Sequence, residues 1–168
     1  KERVSSYIRY VDTDNQSHWL FDSFLFLEIM DTGTGGANKM FAKGYNLESA
    51  NQADWTKLID YYFQSETGIG ALDASVKEAS AILGTPRQKR QIVISIPEPI
   101  VHQHPEQASS STKYWGKIDN QTLDFSNSAD RIKACKWYID QVRAKFNEKN
   151  YQHVELAGFY WLAEKATD

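Results

Sequence analysis

The stretch Val154-Glu-Leu-Ala-Gly-Phe-Tyr-Trp-Leu-Ala-Glu164 constrains the fold more than any other part of the chain. In an extended backbone successive side chains alternate, so Val154, Leu156, Gly158, Tyr160, Leu162 and Glu164 share one face. Ala157, Phe159, Trp161 and Ala163 share the other. Both faces are mostly apolar, which predicts a strand covered on both sides, as in α/β folds, and ending on a carboxylate. Two earlier runs end the same way: Trp19-Leu-Phe-Asp-Ser-Phe-Leu-Phe-Leu-Glu28 and Gln91-Ile-Val-Ile-Ser-Ile-Pro-Glu98. Running in parallel, the three strands would gather Glu28, Glu98 and Glu164 on one rim. That rim is where parallel α/β sheets and barrels hold ligands.

Helical spacing fills the intervals. Trp55, Leu58, Ile59 and Tyr62 predict a helix over about 49–64, with Asp54 in the early turns where a negative charge suits the helix dipole. Leu72, Val76, Ala79 and Leu83 predict a second over 70–83, closed by Gly84 and Pro86. The strand over 92–96 stops at Pro97 and Pro99, which cannot donate to a ladder. A third helix begins near Ser126 or Ser128, with Asp130 in its first turn and the stripe Ile132, Cys135, Ile139, Val142 and Phe146. Cys135 lies on that stripe and reads as a small core residue, not a nucleophile. Residues 7–11 read as a short strand or edge segment. Asp31-Thr-Gly-Thr-Gly-Gly36 is a glycine-rich loop with the spacing of neither phosphate-binding motif. Residues 100–122 form a long polar loop, and loops of that length are more often functional than idle. Trp55 and Trp137 lie on or beside helix stripes and read most simply as core.

Strand-then-helix alternation predicts parallel β/α units with right-handed crossovers. Three strong strands, or four with residues 7–11, fall short of the eight that close a β/α barrel of typically about 250 residues. Residues 1–168 therefore read as a single incomplete α/β domain, the first part of a TIM-type β/α barrel. Its open strand edges would invite self-association. The composition, 41% hydrophobic and 13% aromatic, supplies a real core and excludes a disordered tail. A net charge of −3 leaves no basic footprint, which argues against a nucleic-acid partner. One cysteine excludes an internal disulfide and a cysteine-based zinc site. No apolar run is long enough to span a membrane, and Lys1-Glu-Arg-Val lacks a signal-peptide core, as a processed secreted chain also would. No motif calls for a cofactor.

Four blocks carry a family resemblance: Trp19-Leu-Phe-Asp-Ser-Phe-Leu-Phe-Leu-Glu28, Val93-Ile-Ser-Ile-Pro97, Leu123-Asp-Phe-Ser126 with Arg131 and Lys136-Trp-Tyr-Ile-Asp140, and Gly158-Phe-Tyr-Trp-Leu-Ala-Glu164. Together, over nearly the whole chain, they resemble the bacterial family called domain of unknown function 4855. The resemblance implies a β/α barrel related in outline to glycoside hydrolases, an extracytoplasmic setting and members longer than this chain. It implies no particular reaction.

Glycosidases typically use two carboxyl groups, roughly 5–5.5 Å apart for retention and 6.5–9.5 Å for inversion. Glu164, beside Tyr160 and Trp161, is the first candidate, as a general acid whose aromatic surround would raise its pKa. A rim glutamate paired with Lys165 is the plainer alternative. The barrel hydrolases with a retaining mechanism usually place Asn before the acid/base Glu, and here Ala163 stands there, so their mechanism does not carry over. Glu28 and Glu98 are second candidates, as substrate-binding groups. Glu28 shares a face with Asp22, which if buried must be paired. His102 and His104 with Glu106 form a weak metal pattern, with surface histidines the simpler reading, although His102 also counts among the substrate-binding candidates. Tyr114 and Trp115 are either a stacking platform for a sugar or a hydrophobic anchor for the long loop. The expected partner is a glycan or oligosaccharide, and the expected function is a carbohydrate-active hydrolase or, alternatively, a non-catalytic glycan-binding or scaffold module.

Overall fold

The structure is a computed structural model and describes residues 2–31 and 38–165. The expected glycine-rich loop falls on 31–36, of which 32–36 lie outside the described residues. In chain order the elements are α1 (Glu2–Ile8), β1 (Arg9–Val11), β2 (Ser17–Trp19), β3 (Ser23–Phe26), β4 (Met30–Asp31), β5 (Lys39–Met40) and β6 (Glu48–Ser49). There follow α2 (Gln52–Tyr62), α3 (Ile69–Leu83), β7 (Arg90–Ile96), β8 (Lys117–Ile118), β9 (Gln121–Thr122), α4 (Ser128–Lys149) and β10 (Val154–Trp161). The fold is mixed α/β, and the chain divides into two compact units. The first is Lys1–Phe26, Ile59–Ile94 and Arg143–Gly158; the second is Leu27–Leu58, Ser95–Val142 and Phe159–Asp168.

In the first unit, β1 and β2 form an antiparallel hairpin with Val11 opposite Ser17. Its turn is organised by Asp12, whose carboxylate accepts from the amides of Asp14 (3.0 Å) and Gln16 (2.8 Å). Asn15 takes the left-handed backbone, φ 62°, that asparagine tolerates. The strand expected over 7–11 thus starts only at Arg9, because residues 2–8 are helical.

The long strand expected over 19–28 is broken in two. After the hairpin, the amides of Leu20 and Phe21 donate back to the carbonyls of Ile8 and Tyr7 (2.9 and 3.3 Å), so that β3 begins only at Ser23. Asp22 precedes β3 and is exposed. Its carboxylate accepts from the Ser23 hydroxyl, and its carbonyl accepts from the Gln91 amide at 2.8 Å.

Strand β3 pairs in parallel with β7, Phe24 opposite Ile92, as the alternation predicts. The sheet order β10-β7-β3 leaves β3 and β10 as edges, and among the described residues no barrel closes. The two-sided cover expected of these strands holds only for β7, where Ile92 and Ile94 on one face and Ser95 on the other are fully buried. Leu25 of β3 is 50% exposed, and on β10 Val154 is buried while Glu155 and Ala157 face solvent. Helix α3 packs on α1, and Ile8, Ile69, Leu72 and Val76 are buried. Gly84 closes α3 as expected, with φ 78° and its amide donating to the Ser80 carbonyl at 3.0 Å. Phe146, near the end of α4, meets Phe63 and Tyr151 edge-on at 5.2 and 5.6 Å.

In the second unit, α2 begins at Gln52, three residues later than the spacing suggests. Asn51 and Asp54 make a reciprocal cap: the Asn51 side chain accepts from the Asp54 amide (3.1 Å), and the Asp54 carboxylate from the Asn51 amide (3.0 Å). Strand β5 pairs antiparallel with β4 and parallel with β6. The long loop contains the small hairpin β8–β9, turned by Asp119 and Asn120 at φ 51° and 63°. It is anchored by Trp115, 1% exposed, which meets Trp55, Phe125 and Trp137 at 5.2, 5.5 and 5.5 Å. Of the two readings of Trp115, the hydrophobic anchor is the one seen, because no face of the ring is open to a sugar.

Helix α4 is capped by Asn127, not by Ser126 or Ser128: the Asn127 side chain accepts from the Ala129 amide at 3.0 Å. Just ahead, Asp124 accepts from the hydroxyls of Ser126 (2.6 Å) and Thr112 (2.7 Å), and Arg131 donates to the Phe125 carbonyl at 2.7 Å. The buried face of α4 is Ala134, Tyr138 and Val142; of the expected stripe only Val142 is on it, and Ile132 at its start is 54% exposed. The aromatic core sets this rotation. Tyr138 meets Trp55 edge-on at 5.7 Å, and a count of aliphatic residues does not register that contact.

Candidate functional site

Every residue that the sequence singles out for catalysis or binding belongs to the second unit. Three carboxyl groups follow closely on the three strands of one sheet. Glu28 comes two residues after β3, Glu98 two after β7 and Glu164 three after β10. Their surroundings differ.

Glu28 is half-buried. Burial raises its pKa above the ordinary carboxylate value, the negative charge of Asp31 raises it further, and a hydrogen bond from the Met30 amide works the other way. Glu98 is held in place. One carboxylate oxygen accepts from the Lys43 amide at 2.7 Å, and its own amide donates to the Phe41 carbonyl at 2.8 Å.

Glu164 departs from expectation in two ways. It is not the last residue of the strand, because β10 ends at Trp161 and the chain turns there, the Glu164 amide donating to the Trp161 carbonyl at 3.1 Å. It also lacks the expected apolar, aromatic surround and is exposed, in the left-handed conformation at φ 54°. The Tyr160 hydroxyl donates to its carboxylate. Trp161 donates its indole N–H to the Lys165 carbonyl at 2.8 Å, so both aromatic residues staple the same turn. The Trp161 ring also lines a cavity of about 280 Å³ with Pro99, Ile132, Cys135 and Ile139. That cavity accounts for the first part of the predicted α4 stripe: Ile132, Cys135 and Ile139 line this cleft, while Val142 is buried in the core.

Tyr114 and His102 brace the long loop. The Tyr114 hydroxyl donates to the Ile100 carbonyl at 2.7 Å, and burial raises its pKa. A ring nitrogen of His102 lies 3.1 Å from the Ser110 carbonyl, and the His102 carbonyl accepts from the Ser49 hydroxyl at 2.8 Å. Among the described residues no group of three His, Cys, Asp or Glu side chains could hold a metal ion. The Cys135 thiol is pushed up to about 12 by burial, so it stays protonated at neutral pH and is a poor nucleophile.

Two features escaped sequence reasoning. Asp31 stands in the sequence only as the start of the glycine-rich loop, and nothing there signals that its charge acts on Glu28. Lys39 and Glu48 are cross-strand partners joined at 2.7 Å, with Gln103 donating to the same carboxylate at 2.7 Å. The Lys39 hydrogen bond is the main cause that lowers the Glu48 pKa. Strands of two residues leave no periodic signal, so nothing in the sequence would have paired these side chains.

A family model described as Domain of unknown function (DUF4855) matches residues 1–168. No curated protein and no solved structure matches the chain.

Proposed function

We propose that this chain, which belongs to the Domain of unknown function (DUF4855) family over residues 1–168, carries a carbohydrate-active hydrolase site acting on a glycan. The observation behind the proposal is a contrast between carboxyl groups. Glu28 is half-buried, with its pKa raised by burial and by Asp31, whereas Glu164 faces solvent and accepts from a phenol. Carboxyl groups in environments this unlike are how glycosidases obtain one proton donor and one carboxylate at the same pH. In this reading Glu28, and not Glu164, is the acid. It delivers its proton to the glycosidic oxygen as the bond to the anomeric carbon breaks. Glu164 is the second carboxylate, either as nucleophile or as base toward water. Tyr160 orients Glu164, Trp161 offers an aromatic edge to the sugar, and Glu98, fixed by the Lys43 amide, accepts from sugar hydroxyls. The order β10-β7-β3 follows the order of the chain and supports reading the sheet as the first part of a TIM-type β/α barrel.

A non-catalytic glycan-binding module is the second reading. It is favoured by the fact that Glu98 and Glu164 already accept hydrogen bonds from the protein itself. A panel of polysaccharides tested for cleavage and for binding separates the two. For the hydrolase, Glu28→Gln lowers cleavage by roughly 10²–10⁴-fold, the usual size of a general-acid contribution, while binding is retained. Binding without cleavage by the native protein, unchanged in Glu28→Gln and Glu164→Gln, would establish the module and overturn the hydrolase.

A further inference from the structure

We infer that the substrate of the proposed hydrolase carries an apolar group the size of one aromatic ring, held in the cleft between helix α4 and Trp161. The inference rests on the hydrolase reading and names the kind of glycan on which it acts. The cleft is the cavity of about 280 Å³ already described, and its lining lies wholly in the second unit, as do Glu28, Glu98 and Glu164. Pro99, on one wall, directly follows Glu98. Trp161, on another, opens the turn that carries Glu164.

The lining decides the kind of occupant. Ile132, Cys135 and Ile139 recur at spacings of three and four and so share one face of α4, turned away from the buried face of Ala134, Tyr138 and Val142. With Pro99 and the Trp161 ring they make a mostly apolar wall. The polar members of the lining are Ser128, Arg131 and Lys136, and Arg131 already donates to the Phe125 carbonyl at 2.7 Å. A sugar ring enclosed here would leave most of its hydroxyls without partners, a penalty that an apolar ring does not meet.

Volume decides how much of the ligand enters. An apolar cavity of roughly 150 Å³ is enough for benzene, whereas clefts that take a whole drug-sized ligand span roughly 300–1,000 Å³. A volume of about 280 Å³ therefore suits one ring with its linking atoms. The sugar that bears the ring stays outside the cleft.

Two measurements on the intact chain test this, with phenyl β-D-glucoside and methyl β-D-glucoside as probes. In calorimetric titration the phenyl glucoside should bind about ten-fold more tightly or better, as expected when roughly 100 Å² of apolar surface leaves water. Ile132→Ser, at an exposed position, should weaken the phenyl glucoside roughly five-fold and leave the methyl glucoside unchanged. The second measurement locates the ring. Cys135 is the one cysteine of the chain and lines the cleft, so its rate of alkylation by iodoacetamide reports on occupancy there. Phenyl glucoside should slow that reaction, and methyl glucoside should not. Equal affinities, or alkylation indifferent to phenyl glucoside, overturn the inference, and cleavage of a glycan by the same protein would leave the hydrolase reading standing. Preference for the phenyl glucoside with protection of Cys135, in a protein that cleaves no glycan, would keep the apolar site and overturn the hydrolase. Alkylation of the ligand-free protein that slows as protein concentration rises would put a second copy in the cleft and overturn the inference.

Discussion

Glu28 and Asp124 are both carboxyl groups in the second unit, and their surroundings push them in opposite directions. Burial and the charge of Asp31 raise Glu28, so above the ordinary value of 4.5 the folded state holds a proton that the unfolded chain has released. Stability therefore falls as pH rises through that interval, and Glu28→Gln should remove this part of the fall. Thermal unfolding followed from pH 4 to 7 measures it. Asp124 is lowered to about 2, first by the Ser126 hydroxyl and then by the Thr112 hydroxyl and the Ser126 amide. Its contribution is fully present above the ordinary value of 3.8 and is lost as pH falls toward about 2. The unfolding curves of native protein and Asp124→Asn should accordingly differ at neutral pH and converge in acid. Asp124 stood out in the sequence only as part of the block Leu123-Asp-Phe-Ser126. Its partner Thr112 is twelve residues upstream, and no local pattern links them. Ser126, Asn127 and Ser128 can all cap α4 by residue type, and the backbone phase selects Asn127.

Helix α4 shows where periodicity informs and where it misleads. Its position was close to legible, but its buried face was not, because Ala134 and Tyr138 do not read as a hydrophobic stripe and Ile132 does. Ile132→Ser should change stability by no more than about 0.5 kcal/mol, as exposed substitutions do. Tyr138→Ala should cost roughly 3–5 kcal/mol, the range for an aromatic removed from a core. Urea denaturation of the two variants compares them directly. Before α3, Gly68 is required by space: a Cβ there would stand 2.2 Å from the Tyr62 carbonyl oxygen. Gly68→Ala should therefore lower the midpoint of unfolding, by an amount in the range of about 1–3 kcal/mol typical of overpacking. Trp19-Leu-Phe carries no turn residue, so the sequence alone predicts an unbroken strand where β3 begins only at Ser23. The break at Leu20 and Phe21 depends on carbonyls of residues 7 and 8, which belong to another element.

For the molecule as a whole, strand-helix alternation revealed the parallel pair β3–β7 and the mixed α/β class, since a parallel connection requires an intervening crossover. Exposure of the sheet was not legible. The apolar run of β10 suggests cover on both faces, yet Glu155 and Ala157 face solvent. The candidate site is legible as three glutamates after three strands, while the burial that distinguishes Glu28 from Glu164 is left open by the sequence. The central claim of the proposed function is that Glu28 is the general acid. The most direct measurement is the pH dependence of kcat/KM on a glycan that the protein cleaves, for native protein and for Glu164→Gln and Glu28→Gln. The account predicts an alkaline limb above the ordinary carboxyl range that persists, at reduced rate, in Glu164→Gln and disappears in Glu28→Gln. An alkaline limb left in place by Glu28→Gln and abolished by Glu164→Gln would contradict it and make Glu164 the acid.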